Sequence, residues 1–329
     1  MEANWSSGLD GEDAAAYDAL VAASPSGHPS QTRSWAAVAT AAAKVSPRFV
    51  TVKDGSARLV GAALVSRPRA AGVSLPWAWI DRGPVVEHPS ALCECLAAIE
   101  TAARARGVVR LGVMPYWSDD DAESAEQQLA ARGYHDVQRA DGAHARTLRV
   151  ALALEGAALL AGASMQQVRW RAKQAERAGA AGRKGGPDDW PAFRSMHGAQ
   201  MRRQGRSARS TGWWRALEDY LSEDPRGSLF VTEHSGSAVS ACAILRHGER
   251  ATYTWGASVP EDLPFTKAIP ALLSAVRWAH AQGCTVFDLG GIPLEGDSNP
   301  KRAAVAMLKR DFSRRPVRLV RAHARWLLP

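Results

Sequence analysis

Four cysteines in 329 residues are too few to staple a fold, and none is spaced for a metal. Cys93-x-Cys95 lacks the two-residue spacer of a zinc pair, no His or Cys cluster completes it, and Cys242 and Cys284 stand apart. Free thiols in a reducing compartment are the expectation. A run of about 18 apolar residues, the length that crosses a bilayer, is missing. No basic-then-apolar leader is visible at Met1-Glu-Ala-Asn-Trp5, so a cytoplasmic location is expected. Walker A, Gly-x-Ser-x-Gly and His-Glu-x-x-His patterns are also absent, which leaves nucleotide hydrolysis and metal-dependent hydrolysis poorly supported.

Positive charge is present in excess, and its placement says more than its sum. The formal net charge is +8. Residues 164–209 hold eleven Lys/Arg against three acids, and residues 301–325 hold nine against Asp311 alone. Each block is +8, so the rest of the chain is −8. Concentration of this kind points to a polyanionic partner rather than to general solubility. A GC-rich genome, which enriches Arg and Ala together, is the competing explanation.

Periodicity and turn signals describe one α/β pattern read twice. In the first half, helices are expected at 12–23 and from Gln31 to about Lys44, then strands at 49–52, 57–67 and 77–80 with a turn at Asp54-Gly55. A helix over 90–106 ends at Gly107, a strand over 108–114 is closed by Pro115, and a helix over 120–132 precedes a strand near 146–152. In the second half, strands at 229–233, 238–246 and 251–255 precede a helix over 266–281, then Gly283 and a strand over 285–289. Aligning Gly107 with Gly283 sets an offset of 176 that brings the other elements close to register. The division expected is 1–150 and 151–329, with the basic segment 155–228 as the linking part of the second domain.

Two stretches carry candidate chemistry. Segment 164–184 is expected to be a helix capped at Gly179, with Arg169, Lys173 and Arg177 on one face. Such a stripe suits a phosphate backbone, and equally a solvated surface. A second basic group, Arg202, Arg203, Arg206 and Arg209, precedes Trp213-Trp214. Further on, an apolar run (Val286, Phe287, Leu289) opens at Gly290-Gly291, and a helix-like segment then sets Lys309 beside Met307, Leu308 and Phe312. A lysine in that setting is a candidate for a charge placed at a site; the local alternative is a solvated basic helix.

Seven short pieces, in order, carry a resemblance. They are Gln31-Thr-Arg-Ser-Trp35, Asp81-Arg-Gly-Pro-Val85, Leu111-Gly-Val-Met-Pro115, Met165 through Gly179, Tyr253-Thr-Trp-Gly-Ala-Ser258, Phe287-Asp-Leu-Gly-Gly-Ile292 and Leu308-Lys-Arg-Asp-Phe312. Together they resemble the Fem family (FemX, FemA and MurM relatives), the aminoacyl-tRNA-dependent peptidyltransferases. The chain departs from the family pattern at Met114-Pro115, where an acid often precedes the proline. Segment 164–184 is too short for the coiled-coil arm of some members, so the likeness is to the compact FemX type.

The resemblance implies two GNAT-like domains in tandem, with mixed sheets flanked by helices. Single GNAT acetyltransferases hold the coenzyme A pyrophosphate on an Arg/Gln-x-x-Gly-x-Gly/Ala turn at a helix start. The corresponding stretches here, Pro264–Pro270 and Glu87–Leu92, have no such glycines. The implied reaction moves an amino acid from aminoacyl-tRNA onto a free amine of a peptidyl acceptor. That acceptor would be a peptidoglycan precursor or a peptidyl antibiotic intermediate, carried on a nucleotide or a lipid. Aminoacyl-tRNA is then the co-substrate, and no cofactor is expected.

In this scheme Lys309 is the catalytic cation. The first domain binds the acceptor through Arg33 and Trp35, helped by Arg203, Arg206, Tyr253 and Trp255. The tRNA lies along Arg169, Lys173, Arg177, Arg310, Arg314 and Arg315. A monomer is expected, and a basic patch also fits contact with anionic headgroups if the acceptor is lipid-linked. An acyl-CoA-dependent N-acyltransferase and a non-catalytic RNA-binding module on a degenerate GNAT pair are the alternatives.

Overall fold

The computed structural model describes residues 1–42, 45–137, 145–152, 165–223, 226–293 and 300–328. They fall into two compact units, one of residues 1–145 with 317–329 and one of residues 146–316. The expected helix end near Lys44, the first part of the linking segment (155–164) and the loop at 294–299 lie outside the described residues.

In the first unit the chain runs β1 (Glu2–Ser6), α1 (Gly11–Ala23), α2 (Trp35–Ala41), β2 (Val45–Lys53), β3 (Leu59–Ala70), β4 (Trp77–Asp81), α3 (Leu92–Arg104), β5 (Arg110–Met114) and α4 (Asp119–Ala131). The sheet order is β1-β2-β3-β4-β5, followed by the C-terminal strand His323–Trp326. Neighbours are antiparallel except β4 and β5, which run parallel from Trp77↔Arg110 to Asp81↔Met114. A parallel pair needs a crossover, and α3 supplies it. Alternation along the strands sends Phe49, Ala62 and Leu64 to Tyr17, Leu20 and Val21 of α1. Val50, Val52, Ala63 and Val65 face the Leu92, Leu96 and Ile99 stripe of α3 instead.

The second unit repeats the plan: β6 (Arg146–Ala151), α5 (Gln166–Arg177), β7 (Ala180–Lys184), α6 (Trp190–Arg203), α7 (Thr211–Ser222), β8 (Gly227–His234), β9 (Ser237–His247), β10 (Arg250–Ser258), α8 (Ala268–Ala281), β11 (Val286–Gly291) and α9 (Pro300–Arg310). Its sheet runs β7-β8-β9-β10-β11-β6. Here β10 and β11 are the parallel pair, with α8 as the crossover. The doubled order of three antiparallel strands, a helix and a parallel strand is the repeat expected from the sequence.

Two features differ from the sequence reading. The helix in segment 164–184 ends at Arg177 and is closed by Gly179 at φ +75°, as expected, but residues 180–184 beyond the cap form an edge strand, β7, that was not foreseen. A Cβ on Gly182 of that strand would lie 2.0 Å from the Pro270 carbonyl oxygen, so α8 rests directly on β7 where no side chain intervenes. The second difference concerns the division at 150/151. The strand after α4, β6, pairs with β11 in the second sheet. The last strand of the chain, His323–Trp326, pairs with β5 in the first. Each repeat thus contributes its final strand to the other sheet, and partner choice along an open strand edge leaves no local mark in composition.

Acid–arginine clusters hold the returning segment in the first unit. Buried Glu100 accepts from Arg132 at 2.7 and 3.0 Å and from Arg325 at 3.0 Å. Glu126 accepts from Arg318 and from Arg321 Nε, the latter at 3.1 Å. Three cations of the 301–325 block are therefore engaged in folding rather than offered to a polyanion.

Candidate active site

Helix α9 inverts the usual amphipathic arrangement. It exposes Val305 (48%) and Met307 (63%) but buries Ala306 and Lys309, with Phe312 buried just beyond its end. Lysine is seldom fully buried, and an ammonium taken from water without partners costs several kcal/mol. Partners are present. The Lys309 Nζ donates to the Gly291 carbonyl at 2.7 Å and lies 5.5 Å from the centroid of the Tyr253 ring, within cation–π range. Burial pulls its pKa down from the ordinary lysine value to about 8, and the nearby Asp288 carboxylate opposes that fall. About nine-tenths of the population is still charged at pH 7.

The carbonyl that receives Lys309 is held by a turn. Parallel pairing of β10 with β11 ends at Thr252↔Asp288, and the sheet opens there. Gly290 follows with φ +73°, and a Cβ at this position would lie 2.8 Å from the Tyr253 carbonyl oxygen and 3.6 Å from Lys309 Nζ. Only glycine meets both the left-handed backbone and the close approach. Asp288, 1% exposed, accepts the Gly290 N–H at 2.8 Å and the Thr147 hydroxyl on Oδ1, and Arg149 Nε at 3.2 Å on Oδ2.

A bulge in β10 separates the two aromatics, Tyr253 and Trp255, expected to help bind the acceptor. Ala243 pairs with Trp255 while Ile244 pairs with Tyr253, which leaves Thr254 as the extra residue. Tyr253 packs into the core under Lys309, with its hydroxyl over Gly256, where a Cβ would lie 2.0 Å from that oxygen. Trp255 turns to Trp213, 5.1 Å between ring centroids, at one side of an aromatic cluster with Trp214, Phe193, Trp190 and His197. Burial, with Arg209 and Arg206 nearby, depresses the His197 pKa to about 4, so this imidazole is neutral. Tyr253 is the aromatic at the Lys309 site; Trp255 belongs to the cluster under α6 and α7.

The start of α8 offers few amides to a diphosphate. Pro270 has no N–H, the Ile269 N–H goes to the Thr266 carbonyl at 3.1 Å, and the Ala271 N–H goes to the Thr232 hydroxyl at 3.1 Å. Lys267 Nζ is turned back onto the Val259 and Glu261 carbonyls at 2.7 and 2.6 Å. Among the described residues, no group of three His, Cys, Asp or Glu side chains is placed to hold a metal ion.

Comparison with solved structures matches this architecture over nearly its whole length. The crystal structure of FemX aligns with a TM-score of 0.79 at 17% identity, over 98% of this chain and 97% of that one. The fold is that of FemX. A tandem GNAT protein from the clavulanic acid biosynthesis pathway aligns at TM-score 0.58 and 15% identity, over 100% and 99% of the two chains. The C-terminal domain of an Agrobacterium fabrum protein assigned as a lysylphosphatidylglycerol synthetase aligns at 0.59 and 14%, over 95% and 91%. Residues 162–302 match the acetyltransferase (GNAT) domain family. No curated protein sequence matches the chain. At such identities the likeness is one of fold, and with the GNAT match it indicates an acyltransferase.

The remaining sequence candidates are distributed over this FemX-like frame. In the second unit, Lys173 and Arg177 are exposed on α5, and Arg169 is half-buried beside them. Arg310, Arg314 and Arg315 are exposed at and beyond the end of α9. Arg203 and Arg206 are exposed at the end of α6 and in the loop after it. In the first unit, Arg33 is ion-paired with Asp18 (Nε to Oδ2 2.9 Å), which raises its pKa further, and Trp35 packs on the Tyr17 cluster. The structure thus joins Lys309 to Tyr253 but gives Arg33 a carboxylate partner of its own.

Five contributors escape the sequence reading. Asp288, Thr147 and Arg149 build the turn that holds Lys309; the Asp-x-Gly spacing of a side-chain-capped turn was the available signal for the first. Arg171, absent from the expected stripe, pairs with Asp311 at 3.1 Å and with Thr266 at 3.0 Å, fastening α5 to the end of α9. Trp170, 54% exposed beside the α5 cations, also went unremarked.

Proposed function

We propose that this protein is a tRNA-dependent aminoacyltransferase, moving an amino acid from aminoacyl-tRNA onto a free amine of a peptidyl acceptor. The observation that carries the reading is Lys309: a buried, mostly charged amine on an inverted helix, at the opening between the two parallel strands. An ester of this kind is already activated. The acceptor amine attacks its carbonyl carbon, the new C–N bond forms, and the negative charge passes to the carbonyl oxygen. Lys309 keeps two N–H groups beyond the one given to Gly291, and a desolvated cation placed before the reaction is the most effective stabiliser of such an oxyanion. Collapse breaks the C–O bond to the ribose, and the amine proton leaves with the ribose oxygen. No protein base is required if neighbouring ribose hydroxyls relay it.

Two observations favour this over the alternatives. An acyl-CoA donor needs several amides for its pyrophosphate, and at the start of α8 those of Ile269 and Ala271 are bonded internally and Pro270 has none. A binding module has no use for a lysine buried at this energetic cost, whereas exposed Lys173, Arg177, Arg310, Arg314 and Arg315 serve an RNA backbone at the surface. Peptidoglycan precursors and peptidyl natural products are the acceptor classes in view.

The test supplies purified protein with a mixture of charged tRNAs and, separately, with acyl-CoAs, and follows transfer to peptidyl amines. Transfer from tRNA is expected. Transfer from CoA alone would overturn the reading, and salt-dependent tRNA binding without transfer from either donor would replace it with the binding module.

A further inference from the structure

Lys309 does not hold its own position. Its amine ends a flexible four-carbon chain, and the carbonyl it bonds sits on Gly290-Gly291, the least restrained dipeptide available. Fixing such a chain costs up to about 2 kcal/mol in side-chain entropy. The order must come from elsewhere, and the only buried carboxylate in the neighbourhood among the described residues supplies it. Asp288 Oδ1 captures the Gly290 N–H at 2.8 Å, two residues along, which sets the left-handed φ of +73° and aims the next carbonyl, that of Gly291, at Lys309. The carboxylate is itself locked from the adjoining strand: Thr147 donates to Oδ1 and Arg149 Nε to Oδ2 at 3.2 Å.

We propose that Asp288 is a positioning residue for Lys309, fixing through the Gly290-Gly291 turn the carbonyl that receives the ammonium and supplying the negative charge opposite it. The inference rests on the catalytic reading of Lys309 but makes a claim of its own about the ammonium. Asp288 touches no substrate in this scheme. Its strand neighbour Arg149 pairs with it at 3.2 Å and limits how far its field acts. Among the described residues, the other charged or titratable groups near Lys309 are the Tyr253 hydroxyl on β10 and, on α9 and just past it, Arg310 and Asp311, the latter held by Arg171 of α5. Burial raises the Tyr253 pKa, so the phenol stays neutral. Among the described residues, Asp288 is the acid whose charge opposes the desolvation of Lys309.

The experiment separates charge from shape. Asp288→Asn keeps an oxygen for the Gly290 N–H and the Thr147 hydroxyl but removes the charge. The chain has only seven lysines, so the Lys309 side chain is followed by NMR with labelled lysine and identified by its loss in Lys309→Met. In Asp288→Asn the Lys309 midpoint is expected to fall below that of the unsubstituted protein, and the alkaline limb of kcat to move to lower pH with it. KM for both substrates should stay within about threefold, since Asp288 contacts neither. A purely structural role would not move that limb.

Thr147→Val removes one hydroxyl, leaves every charge in place and reads the positional half if the asparagine variant does not fold. There kcat is expected to drop about tenfold at unchanged KM, as a misplaced stabiliser would cause. An unmoved Lys309 midpoint in Asp288→Asn, or a wild-type kcat in Thr147→Val, overturns the proposal. Because the NMR titration needs no substrate, a shifted midpoint without transfer from any charged tRNA would retire the proposed reaction and leave the positioning role standing.

Discussion

The Lys309 ammonium rests on the Gly291 carbonyl at 2.7 Å, eighteen residues back along the chain and across the opening between β10 and β11. This contact is bought at the expense of stability. Charging Lys309 opposes folding while the pH is below about 8, and the penalty fades as the pH climbs towards the ordinary lysine value, because the folded pKa is the lower of the two. The gap amounts to about 3 kcal/mol, against about 1–2 kcal/mol lost with the hydrogen bond. Lys309→Met should therefore be more stable than the unsubstituted protein at pH 7, by about 1–2 kcal/mol, with the advantage shrinking by pH 10. Urea unfolding at the two pH values checks both the sign and the trend.

Gly290→Ala tests the turn itself. Its φ of +73° and the 2.8 Å approach of a Cβ to the Tyr253 carbonyl leave no relaxed position for the methyl. A loss of about 1–3 kcal/mol is expected from strain and displacement. Turnover should fall further than stability requires, because the Gly291 carbonyl moves with the turn. Measuring kcat under conditions where the variant is fully folded distinguishes the two effects.

The basic residues divide into two groups with opposite expected phenotypes. Lys173→Glu with Arg177→Glu changes an exposed face of α5, so folding should be unaffected while tRNA affinity falls and its salt dependence flattens by about one in slope per cation. Trp170→Ala should weaken binding of tRNA with an intact single-stranded 3′ end, by the about 1–3 kcal/mol that a stacked base contributes. Arg325→Gln behaves in the opposite manner. It takes one guanidinium from the fully buried Glu100 and should destabilise the first unit by about 2–3 kcal/mol without changing the salt slope. Filter binding across a salt series, beside thermal melts, sorts the two groups.

The doubled strand–helix–strand order was legible because apolar alternation and the helix-ending glycines, Gly107 and Gly283, are local signals. The likeness to Fem proteins likewise rested on short pieces whose order survives in the fold. Strand β7 was hidden because Ala180-Ala-Gly-Arg-Lys184 has little β-propensity; it is a strand because it completes the edge beside β8. The exchange of β6, itself expected as a strand, and His323–Trp326 was invisible because the choice of partner along a strand edge leaves no local mark. At the site, Lys309 could be singled out from its apolar neighbours. Its burial, the Asp288 anchor and the parting of Tyr253 from Trp255 depend on a bulge and a turn that no window of sequence encodes. Charge counting located the basic blocks but could not tell Arg318, Arg321 and Arg325, matched to acids more than 180 residues away, from cations left at the surface.

Single-turnover transfer from a charged tRNA to a peptidyl amine, measured from pH 6 to 10 with the unsubstituted protein and Lys309→Met, bears most directly on the central claim. The account predicts a plateau that declines above about pH 8 as Lys309 loses its proton, once ionisation of the acceptor amine has been allowed for. It also predicts a loss of a few hundredfold on the plateau in the methionine variant, the cost of removing one oxyanion stabiliser of about 3–4 kcal/mol. Equal rates for the two proteins across the range would contradict it.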